Sequence, residues 1–146
     1  MSRGWDVLLL SAGGALGVNA RYWLATWMAG RGVSSRYPWS TFAINVSGSL
    51  AIGLVATILS RWPASQAHPA RLFLLVGFLG GYTTFSTFAI EGQSLWRRRE
   101  VAASLAYLAG SVAAGFVAVV LGIAIGRGIV GPIEVAGEPV ASGVDE

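Results

Sequence analysis

The chain has 146 residues, of which 54% are hydrophobic and only 12% charged, with a mean hydropathy of +0.63. Soluble domains carry roughly twice that share of charge, so most of this surface does not face water. With no cysteine and a single histidine, His68, in a proline-containing stretch, a disulfide framework and a thiolate metal site are excluded, and zinc or haem binding is disfavoured.

All 10 basic residues are arginines and the net charge is +3. They flank apolar runs, where arginine anchors topology and headgroups; nucleic acid is not an expected partner. Four runs are each long enough for a membrane-spanning helix, which needs roughly 20 residues. They cover about residues 7–29, 40–60, 72–90 and 101–125. The first is longer than the apolar core of a signal peptide, is preceded only by Arg3, and carries Arg21 and Tyr22 in its later half. It is therefore read as a retained span. Helix is the expected form throughout, because lipid cannot satisfy free backbone groups. Trp5, Trp39, Trp62 and Trp96 stand at the ends of the runs, as an aromatic belt requires.

Short connections are expected between the runs: from Arg31 to Trp39, from Arg61 to Ala70 with Pro63 and Pro69, and from Glu91 to Glu100 with three consecutive arginines. Residues 1–127 thus form one four-helix transmembrane domain. Residues 128–146 turn to Gly, Pro, Glu and Asp and read as a flexible acidic tail. Arg3, Arg61, Arg71 and Arg127 lie on one side of the spans; Arg31, Arg36, Arg97, Arg98 and Arg99 lie on the other. So even a balance permits insertion both ways and an antiparallel pair, or a single orientation weakly set by the arginine cluster.

Polar groups inside spans carry the functional signal, since each is expensive there. Arg21 is the only charge deep in a span; it either snorkels to an interface or makes a vestibule attractive to anions. Thr41, Asn45, Ser49 and Gly53 share one helical face. That stripe is either interhelical glue or the wall of a pathway with the Asn45 amide as donor. Tyr107, Ser111 and Gly115 make a similar line in the fourth run, with the same two readings. The third run reads Gly77-Phe78-Leu79-Gly80-Gly81-Tyr82-Thr83-Thr84-Phe85-Ser86-Thr87-Phe88. Its glycines and paired threonines predict a broken helix, tolerated at that depth only where it is buried in protein or lines a cavity. Freed carbonyls there would suit a hard cation. Phe85 and Phe88 fall on one face, either packing or presenting electropositive ring edges to a small anion. No Asp or Glu lies within an expected span, with Glu91 at an end; this disfavours proton-coupled exporters such as the small multidrug-resistance transporters.

Three ordered signatures carry a family resemblance: Gly13-Gly14, Gly17 and Arg21-Tyr22; Thr41 to Asn45 with Gly48; and Gly77-Phe78 through Phe88. Together they resemble the Fluc (CrcB-type) fluoride channels from Gly13 to about Gly126. Val18 and Ser40 depart from the usual small residues at their positions. The resemblance implies a multi-pass cell-membrane protein and no enzyme: a dual-topology antiparallel homodimer that passes fluoride passively out of the cell. It assigns Asn45, Phe85, Phe88, Tyr107, Ser111, Thr41 and Arg21 to the fluoride pathway. It assigns the backbone carbonyls of Gly80 and Thr83 to a structural sodium ion at the dimer centre, which is not transported.

Overall fold

A computed structural model describes residues 3–33 and 37–131, and every regular element among them is helical. Arg36 and residues 132–146 of the expected tail lie outside the described residues. Helix α1 covers Arg3–Gly30, α2 Trp39–Leu59, α3 Ala64–Ala70, α4 Gly80–Tyr82, α5 Phe85–Arg97 and α6 Val101–Val130. A π-helical segment, Arg71–Leu79, joins α3 to α4.

Among the described residues three stretches are long and apolar enough to cross a membrane: Trp39–Leu59, Ala64–Arg97 and Val101–Val130. Helix α1 has the length, with 28 residues, but Asn19 and Arg21 dilute its apolar character. The large side chains turned outward are those lipid would accept, among them Trp23, Val112 and Phe116. All six tryptophans are exposed.

The observed boundaries differ from the expected ones where local chemistry was misjudged. The third stretch begins at Ala64 rather than at residue 72 and continues to Arg97 rather than residue 90. Pro63 does not end a loop there. Its carbonyl accepts the N–H groups of Gln66 and Ala67 at 2.9 Å each and so opens α3. Pro69 sits inside that helix; having no N–H, it leaves a rung of the ladder unmade just before the π-helical widening. The expected connection from Glu91 to Glu100 shrinks to residues 98–100, which places Glu91 inside α5. Helix α6 runs on to Val130, taking residues 128–130 from the expected tail. It stops at Gly131, whose φ of 75° favours glycine.

Two helix pairs make the frame. Helix α1 runs parallel to the π-helical segment: a Cβ on Gly13 would strike the Phe73 carbonyl, and one on Gly17 the Phe78 carbonyl. Helix α2 runs parallel to α6, with Gly53 against Val119, Gly122 against Leu50 and Gly126 against Thr57. Such close approach suits a bilayer, where helices associate by packing rather than by the hydrophobic effect. Helix α5 is tied across to α6 by Ser104, whose buried hydroxyl donates to the Gly92 carbonyl at 2.8 Å. A small cluster of Phe88, Leu95 and Tyr107 fills that junction.

Candidate functional site

Helix stops at Tyr82 and resumes at Phe85, with Thr83 (φ −80°, ψ 158°) and Thr84 (φ −148°, ψ 116°) extended between. Two extended residues orphan backbone groups, and the sequence supplies a partner for most of them. The Thr83 N–H and hydroxyl both donate back to the Leu79 carbonyl, at 3.0 and 2.9 Å. The Thr84 hydroxyl accepts the Thr87 N–H at 3.3 Å and donates to the Thr87 hydroxyl at 2.9 Å, capping α5.

Asn45 closes the rest. Its Oδ1 accepts the Thr84 N–H at 2.9 Å, and its Nδ2 donates to the Thr84 carbonyl at 3.1 Å. The primary amide thereby replaces a missing backbone partner on both sides of one residue. One Nδ2 hydrogen remains for another acceptor. One turn along α2, Gly48 lies under Thr83 and Tyr82, where any Cβ would collide with the Thr83 methyl group. Ser47 and the Tyr82 hydroxyl add a 2.9 Å hydrogen bond across the same contact.

Beside the interruption lies a groove of about 480 Å³. Its walls include Asn45, Thr83, Thr84, Phe85, Phe88 and Ser111, with Gly80 at one edge. Phe88 is buried and Phe85 is 78% exposed, with ring centroids 5.6 Å apart. The Ser111 hydroxyl is buried and makes no hydrogen bond among the described residues. A stranded hydroxyl costs about 1–3 kcal/mol, so it is a place where a guest of matching polarity gains.

Behind Phe88 is a second polar group of opposite character. The Tyr107 hydroxyl donates to Glu91 Oε2 at 2.8 Å, and the Thr41 hydroxyl donates to Oε1 at 2.9 Å. Tyr107 is wholly buried and Thr41 nearly so. The Phe88 ring lies 5.2 Å from the Tyr107 ring and separates this cluster from the groove. Tyr37, from the turn before α2, meets the other side of Tyr107 at 5.6 Å.

The residues singled out in the sequence thus fall into three places. Asn45, Phe85, Phe88, Ser111, Gly80 and Thr83 share the groove. Thr41 and Tyr107 do not reach it; both are engaged by Glu91. Arg21 is half-buried, and its Nη1 donates to the Thr83 carbonyl at 3.3 Å. It arrives there because Gly17, one turn earlier, lets α1 lie directly on the backbone of the third stretch. Two participants escaped sequence reasoning. Glu91 was placed at a span end, though it lies three residues after Phe88 and therefore on the same face of α5. Thr84 was seen as part of the break and not as the residue Asn45 holds.

Among the described residues no group of three or more His, Cys, Asp or Glu could hold a metal. Neutral backbone oxygens are another matter. The Thr84 N–H that would close a helical rung onto the Gly80 carbonyl goes to Asn45 instead.

The chain matches known proteins over nearly the whole of this frame. Residues 8–123 fit the model of the family described as CrcB-like protein, Camphor Resistance (CrcB). The fluoride-specific ion channel FluC of Paracoccus denitrificans is 43% identical over 122 residues, covering 84% of this chain and 94% of that protein. The protein of the same description from Nitrobacter winogradskyi is 46% identical over 122 residues, covering 83% and 94%. The one from Chloroflexus aurantiacus is 40% identical over the same length. With three stretches able to span a bilayer and a family match across residues 8–123, the chain is a multi-pass membrane protein belonging to the CrcB-like family.

Proposed function

We propose that this protein is a fluoride-selective ion channel, not an enzyme, through which fluoride leaves the cell passively. The observation that carries the reading is the groove at the interruption. There the Ser111 hydroxyl, which makes no hydrogen bond among the described residues, and the remaining Asn45 N–H line the same groove as Phe85 and Phe88. Hydrogen-bond donors and aromatic rings with electropositive edges, with no carboxylate among the described residues of the groove wall, suit a small, hard anion. Relatives named as fluoride-specific channels support the same ion.

In this reading four spans, α1 included, extend to Val130, with the third interrupted within the membrane, and the remaining C-terminal residues are appended to them. Two copies pair in opposite orientations, which the near-even arginine balance permits. Phe85, so exposed in one chain, would be covered by the second copy. Thr41 and Tyr107 lie on the approach, their hydroxyls lent to Glu91 until an anion competes for them. Arg21 supplies positive potential near the interruption. Trapped fluoride would be driven out by the membrane potential, at about 2.3 kcal/mol per charge per 100 mV.

A structural sodium ion fits the donor set in part. The Gly80 carbonyl is released from the helix ladder by the Asn45–Thr84 contact. The Thr83 carbonyl also accepts from Arg21, whose charge competes with a cation there. Gly80 and Thr83 of both copies would hold the ion, which supplies a fixed positive charge and does not travel.

Fluoride efflux from liposomes tests the reading, followed with a fluoride electrode while valinomycin carries the balancing potassium. Fast efflux, indifferent to a sodium gradient but weakened by prolonged sodium removal, is expected. Flux that scales with the sodium gradient would replace the channel with a symporter, and no flux at all would leave a non-conducting subunit.

A further inference from the structure

A second hollow continues the groove along the α2–α6 seam. It measures about 450 Å³ and shares Ile52 and Val119 with the first as common walls. Its other sides are Ala56 and Ile123, and it ends at Thr57, Ser60 and Arg127. The two hydroxyls offer it no hydrogen. Thr57 donates back to the Gly53 carbonyl at 2.8 Å, and Ser60 to the Thr57 carbonyl at 2.7 Å.

Such a space has the volume of about 15 waters, taking roughly 30 Å³ each. An ion there keeps its hydration shell and needs no donors from the wall. What it needs is a favourable potential, and the helix frame supplies the wrong one. Because α2 and α6 are parallel, both C-termini point to this end. The negative end of each helix dipole lies there, although the last carbonyls of α2 are paired: those of Ala56, Ile58 and Leu59 accept the N–H groups of Ser60, Arg61 and Trp62, and that of Thr57 accepts the Ser60 hydroxyl. An anion approaching this mouth meets two repulsive helix ends.

Arginines offset both. Arg61, just past the end of α2, turns its Nη2 onto the Val130 and Gly131 carbonyls at 3.0 and 2.8 Å, covering the end of α6. Arg127, one turn earlier on α6, is exposed and is the only charged residue among the described ones on the wall of the hollow. Low-dielectric walls around a single charge focus its field into the space between them.

We propose that Arg127, with Arg61 behind it, is a second anion site. It converts the C-terminal mouth of the α2–α6 seam from repelling to collecting, and a hydrated small anion gathers there before entering the narrow groove. Fluoride as that anion rests on the channel reading above. A phosphate oxygen of a lipid headgroup has the same recognition chemistry, so the test separates the two sources.

Native protein and Arg127→Gln are compared for initial fluoride efflux at low ionic strength, then with an impermeant salt near 1 M, where the Debye length is about 3 Å. Electrostatic collection predicts a loss of roughly three- to tenfold in the variant at low salt, and convergence at high salt. Arg127→Lys should restore the low-salt rate. Ser60→Glu, which places a carboxylate beside Arg127, should reproduce the salt-reversible loss, and it keeps the idea falsifiable should Arg127→Gln not fold. An Arg127→Gln rate equal to native at low salt, or a loss unchanged by salt, overturns the proposal. The comparison is made in vesicles of neutral phosphatidylcholine and in vesicles containing phosphatidylglycerol. A loss confined to the anionic vesicles would assign Arg127 to lipid phosphate and equally overturn it. Native protein that carries no fluoride sinks the channel reading itself; native flux with an unaffected variant sinks only this site.

Discussion

The two polar regions on either side of Phe88 are built from similar atoms and differ in how completely those atoms are used. In the Thr41–Glu91–Tyr107 cluster each carboxylate oxygen holds a hydroxyl at under 3 Å. In the groove, among the described residues, Ser111 has no partner and Asn45 retains a free N–H. A saturated cluster fixes a structure, because removing one member strands another. An unsaturated one leaves binding capacity for something that is not protein. Stability should therefore respond most to changes in the first region, even though Thr41 and Tyr107 also face the approach, whereas changes in the second should move transport with little loss of stability.

Asn45→Asp should give the largest effect. The carboxylate can still accept the Thr84 N–H, but it opposes the Thr84 carbonyl and any anion in the groove. Like unit charges 4 Å apart cost about 4 kcal/mol at an effective dielectric of 20. That is roughly a thousandfold in occupancy, so liposome efflux should fall to the level of empty vesicles. The variant should still elute from gel filtration as the native particle; native efflux from such a particle would remove Asn45 from the pathway.

Next comes Tyr107→Phe, which strands Glu91 Oε2 in a part-buried place. A loss of about 1–3 kcal/mol in stability is expected, read as earlier thermal unfolding in detergent. An unchanged transition would mean that the cluster is not the fixed part of the comparison. Phe88→Ile and Phe85→Ile keep apolar bulk but remove a ring edge worth about 0.5–1.5 kcal/mol. Efflux should drop by up to roughly tenfold in each. Stability should drop more for Phe88, which is buried within one chain, than for Phe85, which is 78% exposed there. Normal conduction in both would mark the pair as packing.

Ser111→Ala is the smallest and sharpest test. The hydroxyl has no partner to lose among the described residues, so stability should hold or rise by up to about 1–3 kcal/mol. Efflux should still fall two- to tenfold, the worth of one net hydrogen bond. A variant that loses stability and not flux would invert the comparison.

What could be read in advance was what depends on neighbours along the chain. Apolar runs bounded by arginine and tryptophan located the helices, and Gly80-Gly81 before Thr83-Thr84 located the interruption. Glu91 was misplaced because its partners Thr41 and Tyr107 are 50 and 16 residues away. Nothing local says that a carboxylate near a run of arginines turns inward to two hydroxyls. The Arg21 contact spans 62 residues and depends on how close Gly13 and Gly17 let α1 approach. Pro69 was read by its usual role in loops, although one missing rung is tolerable where the helix is already changing register.

The parallel course of α2 and α6 has an electrical meaning. Along the α2–α6 seam alone an anion meets unlike ends: the N-termini of these two helices near Trp39 and Val101, and their C-termini near Leu59 and Val130 with Arg61 and Arg127 beside them. Conductors that all faced one way would pass current more readily in one direction at equal and opposite voltages. Adding an inverted copy places one conductor of each polarity in parallel, and the asymmetries cancel. A straight current–voltage line through zero is thus the signature of inverted pairs, and a bent one is the signature of chains that all insert the same way.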